Sequence, residues 1–270
     1  MTRLEPVRRL LRPLLGHLVA TARRGGLLRE RVAFIRRELS RSDERRIYTL
    51  RDSGLAISIR HGTPDVYGLD QAFLQPHFDP PEEVDKVLRT APRPLRVVDL
   101  GANIGLFGVQ LSGAFSDARI VAFEPDQANA TVLRSVIESN RASHRWEVVE
   151  AAAATRDGLV RFQVGDFGVS RVVDDKASAP EVPAVDIFRY LKEVDLVKMD
   201  IEGAEWEILA DDRLSDVAAR VMNVEYHGHM CPYPDPAGSA TQLLQRAGFR
   251  VKPGPLLGDR EGILWAWKPQ

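Results

Sequence analysis

The sequence is poor in features that define several classes of protein. It has one cysteine, Cys231, among 270 residues, so an internal disulfide is excluded and a reducing, cytoplasmic compartment is expected. No apolar run approaches the roughly 20 residues of a membrane-spanning helix. Arginines interrupt each apolar stretch near the N-terminus, so no signal peptide is predicted. The G-x-G-x-x-G pattern of dinucleotide sites and the fixed spacings of metal motifs are missing as well.

The charged residues are distributed unevenly along the chain. The net charge is −1, but residues 1–46 contain 13 arginines and 5 acids, which leaves about −9 for the remainder. Apolar residues recur at helical spacing in this basic leader, at Val7, Leu10, Leu11, Leu14, Leu15 and Leu18, and a second amphipathic run spans residues 27–39 after Gly25-Gly26. Such helices either pack on the main domain or on a second subunit, or they lie on an anionic membrane surface. Homodimer formation and membrane contact are therefore both open.

Two segments of different organisation are predicted. Residues 1–64 form the basic helical leader and a β-hairpin with strands at 47–50 and 55–59, and residues 65–270 form the main domain. From residue 95 onward, strand and helix patterns alternate. This alternation predicts an α/β fold with a doubly wound, mostly parallel sheet. Strands are expected at 96–100, 119–123, 146–151, 196–199, 220–226, 249–251 and 263–267, an added hairpin at 160–164 and 169–173, and a short helix at 185–191.

The stretch VVDLGANIG, residues 97–105, predicts a buried strand that enters a tight turn under a helix N-terminus. In doubly wound sheets, ligands bind beyond the carboxyl ends of the strands. Asp99 ends the first strand and would repel a phosphate, but it would attract an ammonium group. Glu124 ends the second strand, where an acid typically binds the ribose hydroxyls of an adenosine. Adenosine joined to methionine fits both features, which indicates S-adenosylmethionine.

Three motifs resemble those of the FkbM-type S-adenosylmethionine-dependent methyltransferases: VVDLGANIG at 97–105, VAFEP at 121–125 and VKMDIEGAE at 197–205. GTPDV at 62–66 is similar to the opening motif of that family, with Pro64 in place of the more usual serine. The resemblance covers roughly residues 62–252. It implies a class I, Rossmann-like methyltransferase fold with strand order 3-2-1-4-5-7-6. It also implies cofactor contacts at Asp99, Gly101, Ala102, Asn103, Gly105, Glu124, Pro125 and Ala152.

A second group of polar residues follows two further predicted strands. Asp200 and Glu202 end the fourth strand, and Glu225 and His227 end the fifth, so the fold brings them together near the transferred methyl group. Asp200, Glu202 and His227 are the predicted catalytic residues, because a histidine that titrates near neutrality, or a carboxylate, could take the proton of an acceptor hydroxyl. In an alternative, Asp200, Glu225 and His227 hold Mg²⁺ or Mn²⁺. Glu205 is expected to be structural, either solvated or paired with a lysine.

The acceptor side is predicted from weaker signals. His229 and Tyr233 belong to a stiff loop with three prolines at 232–236, beside Glu225. Tyr67 and the segment 62–78, with His77 and Phe78, would form the opposite wall.

These features predict an O-methyltransferase that acts on a hydroxyl of a sugar, glycan or secondary metabolite. A nicotinamide-dependent oxidoreductase is disfavoured because the dinucleotide glycine pattern is missing. A non-catalytic cofactor-binding scaffold, and an acceptor such as a polyketide or a nucleic acid, are the alternatives. The acidic main domain disfavours nucleic acid, whose phosphates need a basic face, although the leader carries positive charge.

Overall fold

The computed structural model describes residues 5–75, 77–163, 171–173 and 179–268, and for residues 5–14 and 171–173 it describes the backbone. The helices are α1 (Glu5–Gly26), α2 (Arg31–Leu39), α3 (Asp65–Phe73), α4 (Glu82–Thr90), α5 (Leu106–Ala114), α6 (Gln127–Ser139), α7 (Glu205–Ala210) and α8 (Pro236–Arg246). The strands are β1 (Arg45–Thr49), β2 (Ala56–Arg60), β3 (Arg96–Leu100), β4 (Arg119–Phe123), β5 (Trp146–Val149), β6 (Ala152–Ala154), β7 (Gly158–Gln163), β8 (Arg171–Val173), β9 (Glu181–Asp186), β10 (Leu196–Met199), β11 (Val221–His227), β12 (Arg250–Gly258) and β13 (Glu261–Trp267).

A seven-stranded sheet forms the centre of the fold, in the order β12-β13-β11-β10-β3-β4-β5. The strands β5, β4, β3, β10 and β11 are parallel neighbours, and β13 runs antiparallel to both β11 and β12. Counted along the chain, this order is 3-2-1-4-5-7-6, which confirms the predicted class I methyltransferase fold.

Buried apolar clusters cover both faces of the sheet, which explains why its central strands are mostly apolar. Val97 belongs to one buried cluster and Val98 to the other, because successive side chains of a strand point to opposite faces. Leu196 and Val197 of β10 alternate in the same way. The polar residues Asp99 and Lys198, paired in register on neighbouring strands, interrupt this apolar pattern at the carboxyl ends.

The predicted helix at 185–191 is wrong. Glu181–Asp186 instead forms β9, which pairs with β7 and β6 in a four-stranded sheet, and only single turns of 3₁₀-helix follow, at Ile187–Arg189 and Leu191–Glu193. Asp186 begins the first of these turns, where its carboxylate accepts a hydrogen bond from the backbone N–H of Phe188. The added hairpin is present as the antiparallel pair β7 and β8. Residues 169 and 170 of its predicted second strand, and residue 164 of its first, lie outside the described residues.

The leader forms two helices and the β1–β2 hairpin, as expected. Leu28 and Phe34 are buried in the same apolar cluster as Val97 of β3. The guanidinium of buried Arg24 donates to the carboxylate of Asp70 in α3, at 2.9 Å from Nε. The Asn140 side chain, at the end of α6, bonds both the N–H and the carbonyl of Ala56 in β2.

Three apolar side chains of α1 face solvent, those of Leu15, Leu18 and Val19. The side chains of Val7, Leu10, Leu11 and Leu14 lie outside the described residues. Contact of the leader with a membrane surface therefore stays a prediction. Among the helices that the structure describes, none has the length and apolar character that crossing a bilayer requires.

Gly101 gives a direct test of this packing. Its φ of +78° lies in the left-handed region, and an added Cβ atom would stand 1.8 Å from the backbone carbonyl oxygen of Asp200. We expect Gly101→Ala to lower the free energy of unfolding by at least about 3 kcal/mol, since neither backbone can move aside. The control is Gly26→Ala at the end of α1, where a Cβ meets nothing within 4 Å. Urea unfolding measures both, and a loss below about 1 kcal/mol for Gly101→Ala would contradict the close approach.

Candidate active site

A pocket opens at the carboxyl ends of β3, β4 and β10, where the fold predicts a ligand. It contains about 600 Å³ of empty space, including the open solvent at its mouth. Its wall consists of Gly101, Asn103, Phe123, Glu124, Pro125, Asn129, Ala152, Ala153, Phe162, Asp200, Ile201, Glu202 and Ala204. Five predicted cofactor residues are therefore on the wall: Gly101, Asn103, Glu124, Pro125 and Ala152. Phe162, on the added hairpin, has no counterpart among the sequence predictions.

The remaining predicted cofactor residues lie behind this wall. Ala102 is buried in the apolar cluster. Gly105, with φ of +86°, begins α5 so close to Leu133 that a Cβ would lie 2.5 Å from its side chain. Asp99 is 1% exposed, and burial raises its pKa to about 6. These three residues therefore support the turn from behind the pocket wall. Asp99 would attract an ammonium group in the pocket through its charge, without direct contact.

Glu124 joins the turn to the end of β4. Its Oε2 accepts from the N–H of Asn103 at 2.7 Å, and its Oε1 accepts from the N–H of Asp126 at 2.9 Å. Asn103 holds a φ of +49°, a conformation that asparagine tolerates better than most residues. Each carboxylate oxygen keeps capacity for another hydrogen bond. Burial, aided by the charge of Asp126, raises the pKa of Glu124 to about 7, although the two N–H groups lower it.

Lys198 connects the cofactor turn to the second group of residues. Its buried ammonium donates to the carbonyl of Gly101 at 2.7 Å and lies 3.6 Å from Asp99 Oδ1 and 3.3 Å from Asp200 Oδ2. Burial lowers the pKa of Lys198, but the charges of Asp200 and Asp99 outweigh it and raise the pKa above its usual value. Asp200 is therefore held at the rim of the pocket by a buried cation.

The predicted catalytic residues do converge. Three carboxylate oxygens surround Nε2 of His227: Glu202 Oε2 at 3.5 Å, Glu225 Oε1 at 3.7 Å and Asp200 Oδ1 at 3.8 Å. Asp200, Glu202 and His227 each offer a ligand atom within 4.8 Å of the others, a group that could hold a metal ion. Glu225, the predicted third ligand, lies outside that group of three.

Glu205 has a role that the sequence did not reveal. It is neither solvated nor paired with a lysine, because its side chain is fully buried. Its Oε2 accepts from the N–H of Gly203 at 2.7 Å. Its Oε1 accepts from the N–H of His227 at 2.7 Å and lies 3.2 Å from His227 Nδ1. Glu205 therefore sets the orientation of the imidazole, which points Nε2 at the other carboxylates.

The electrostatics of this cluster differ from the expectation. Burial lowers the pKa of His227, but the hydrogen bond to Glu205 and the charges of Asp200, Glu205 and Glu202 outweigh it and raise the pKa to about 10. The prediction of a histidine that titrates near neutrality is therefore wrong for this arrangement. Burial, reinforced by the charge of Asp200, raises the pKa of Glu202 to about 7 and also raises that of Glu225.

The predicted acceptor residues fall in two places. His229 lies beside the cluster, its ring 5.9 Å from that of His227, and Tyr233 packs at 6.1 Å from the ring of Trp206, whose Nε1 donates to the His227 carbonyl. His77 of the segment 62–78 is buried, which lowers its pKa, while the charge of Asp200 opposes that change. Tyr67 does not join them. It lies under the Arg24 guanidinium, 5.0 Å away, in a separate cleft between the leader and α3.

The family model of the methyltransferase FkbM domain matches residues 99–251, which is more than half of the chain. The chain belongs to the FkbM methyltransferase family. It is accordingly an S-adenosylmethionine-dependent methyltransferase, and the pocket contains residues of all three motifs. A search of curated proteins found no significant match.

This FkbM methyltransferase is distantly similar to several solved structures. They include precorrin-6y C5,15-methyltransferase from Geobacter metallireducens, with 18% identity and a TM-score of 0.41 over 69% of this chain and 87% of that chain. TYW2 of M. jannaschii, in complex with AdoMet, has 12% identity and a TM-score of 0.44 over 84% and 86%. An O-methyltransferase family protein from Burkholderia thailandensis has 11% identity and a TM-score of 0.41 over 76% and 59%.

The buried Glu205 gives a testable consequence. We expect Glu205→Ala to lower the free energy of unfolding by about 3 kcal/mol or more, because the N–H groups of Gly203 and His227 lose a charged acceptor inside the protein. Glu207→Ala is the matched control on the same helix, since Glu207 is exposed, and it should change stability by less than about 0.5 kcal/mol. Thermal and urea unfolding measure both variants. Equal stabilities of the two would contradict the role assigned to Glu205.

Proposed function

We propose that this FkbM methyltransferase transfers a methyl group from S-adenosylmethionine to a hydroxyl of a small polyhydroxylated acceptor, with a sugar as the best-fitting class. The observation that carries the proposal is the convergence of three carboxylates on His227 Nε2 directly beside the cofactor pocket. Such a surface offers hydrogen-bond acceptors to several hydroxyls at once, which an apolar or a phosphate-bearing acceptor would not use.

The pocket wall supports one orientation of the cofactor. Glu124 offers two carboxylate oxygens to the ribose hydroxyls, as an acid at the end of the second strand does in adenosine sites. Pro125, Ala152 and Phe162 provide an apolar surface for the adenine on that side. The methionine portion then lies along Gly101 and Asn103. In this orientation the sulfonium methyl group points toward Asp200 and Glu202.

The acceptor side needs a nucleophile in line with the carbon–sulfur bond and a group that takes its proton. As the acceptor oxygen forms the new carbon–oxygen bond, the electrons of the carbon–sulfur bond move to sulfur, and the hydroxyl proton goes to a carboxylate. Asp200 and Glu202 are on the pocket wall, with side chains 28% and 23% exposed, so the acceptor reaches them first. His227 contacts both from outside the wall and positions them.

Two alternatives are less well supported. A nucleic-acid acceptor would meet Asp200 and Glu202 on the pocket wall, where its phosphates would be repelled. A non-catalytic scaffold would have no use for a cluster of buried carboxylates, because desolvating them costs free energy. A polyketide hydroxyl remains a second acceptor class, since the loop with Tyr233 adds an aromatic surface beside His229.

Methyl transfer to a panel of oligosaccharides and polyketide alcohols, followed by mass spectrometry, tests the acceptor class. We expect a mass gain of one methyl group on a sugar hydroxyl, and a loss of kcat of at least about 100-fold in Asp200→Asn and Glu202→Gln. Calorimetric affinity for S-adenosylhomocysteine should change little in these two variants, and Glu207→Gln serves as the active control. Methylation of amines or nucleic acid alone would contradict the proposal.

The raised pKa of Glu124 predicts how cofactor affinity depends on pH. The ribose hydroxyls donate to the ionised carboxylate, and protonation below a pKa of about 7 removes that acceptor, so affinity falls by up to about tenfold per pH unit from pH 7 toward 5.5. The ligand measured is 5′-methylthioadenosine, which has the ribose but no titrating amino-acid group. In Glu124→Gln the affinity should be lower and independent of pH. A flat profile in the unaltered protein would contradict the ribose assignment.

A further inference from the structure

We infer that Asp200, Glu202 and His227 form a binding site for a divalent cation with manganese-like preferences. The binding of the cation stands on the geometry of these residues alone. Its role, which is to hold the acceptor hydroxyl, rests on the proposed methyl transfer.

The positions of the donor atoms support this site. Nε2 of His227 lies 3.5 Å from Glu202 Oε2 and 3.8 Å from Asp200 Oδ1. With metal–ligand bonds of about 2.1 Å, ligand atoms at right angles are about 3 Å apart. All three donor atoms lie within 4.8 Å of one another, so side-chain movements on the order of an ångström bring them to metal–ligand distance of a common point.

The imidazole of His227 is oriented in the way that is typical of a metal-binding histidine. A histidine that binds a metal through one ring nitrogen commonly gives its other N–H to a carboxylate, which fixes the tautomer and the ring orientation. Glu205 Oε1 lies 3.2 Å from His227 Nδ1, and its position is fixed by hydrogen bonds from the N–H groups of Gly203 and His227. Nδ1 is therefore occupied, and Nε2 is the nitrogen directed into the cluster.

Nε2 faces carboxylates only. The side chain of His227 is 4% exposed, and Nε2 lies 3.5 Å from Glu202 Oε2, 3.7 Å from Glu225 Oε1 and 3.8 Å from Asp200 Oδ1. Without a cation, the protonated imidazole balances these carboxylates, and a divalent cation would take the place of that proton. A carboxylate cluster alone would not identify a cation site, but a buried, oriented imidazole nitrogen among the carboxylates does.

The chemistry of the donors selects the kind of cation. Once His227 Nε2 has released its proton, two carboxylates and a neutral imidazole carry two negative charges, which a divalent ion balances. Mg²⁺ prefers oxygen ligands alone, whereas a mixed set of nitrogen and oxygen ligands suits Mn²⁺ and its neighbours in the first transition series. Thiolate ligands, which favour Cu⁺, are missing from the group.

In the proposed reaction, a bound cation would hold the acceptor hydroxyl at an open coordination position and lower its pKa. Each carboxylate would give the cation one oxygen, so the second oxygen of Asp200 or Glu202 would still take the proton. The acceptor oxygen forms its bond to the methyl carbon, and the electrons of the carbon–sulfur bond leave with sulfur.

The test uses the full chain after treatment with EDTA and removal of the chelator. Mn²⁺ is titrated in, and electron paramagnetic resonance measures the free ion. We expect one binding site per chain, with affinity weakened at least tenfold in Asp200→Asn and in His227→Gln, and unchanged in Glu207→Gln. Bound S-adenosylhomocysteine reports that each variant is folded. Binding that is absent, or equal in all four proteins, would overturn the inference.

The same protein separates this inference from the proposed function. Full methyl transfer to a hydroxyl by the EDTA-treated protein, without added cation, would overturn the catalytic role of the cation and support the proposed function. Site-specific Mn²⁺ binding by a protein that methylates no hydroxyl compound would support the cation site and overturn the proposed function.

Discussion

The buried ammonium of Lys198 is the interaction on which the rest of the site depends. It donates to the carbonyl of Gly101 and lies between the carboxylates of Asp99 and Asp200, so one cation joins the cofactor turn to the acceptor edge. A buried cation costs several kcal/mol of desolvation unless it is paired and hydrogen-bonded. Here those partners come from adjacent strands of the sheet. The spacing between the two halves of the site is therefore set by the pairing of β3 with β10.

Outside the site, the basic leader packs against the helices that adjoin the cofactor pocket. Arg24 of α1 binds Asp70 of α3, and α3 packs on α5 so closely that a Cβ on Gly68 would lie 2.8 Å from the side chain of Leu106. The helix α5 begins directly after the cofactor turn. The hairpin is tied in the same way to α6, which follows Glu124. The basic leader and its hairpin thus stabilise α5 and α6, the two helices that flank the cofactor pocket.

The sequence predicts the central strands well because their signals are local. β3, β4 and β10 have the expected bounds, since buried parallel strands are apolar on both faces, and Glu124 and Asp200 follow from their positions after those strands. The error at β9 has a different origin. Residues 181–186 become a strand because β6 and β7 offer pairing partners, and such pairing depends on tertiary context more than on propensity. For the same reason, no local signal shows that Glu205 is buried against His227, or that Tyr67 faces the leader.

The central claim is that S-adenosylmethionine lies between Glu124 and Asp200. The most direct measurement is a crystal structure of the full chain with S-adenosylhomocysteine. We expect both ribose hydroxyls within hydrogen-bond distance of the Glu124 carboxylate, the adenine against Pro125 and Phe162, and the sulfur directed at Asp200 and Glu202. A nucleoside bound elsewhere, such as in the cleft beside Tyr67 and Arg24, or a ribose without contact to Glu124, would contradict it.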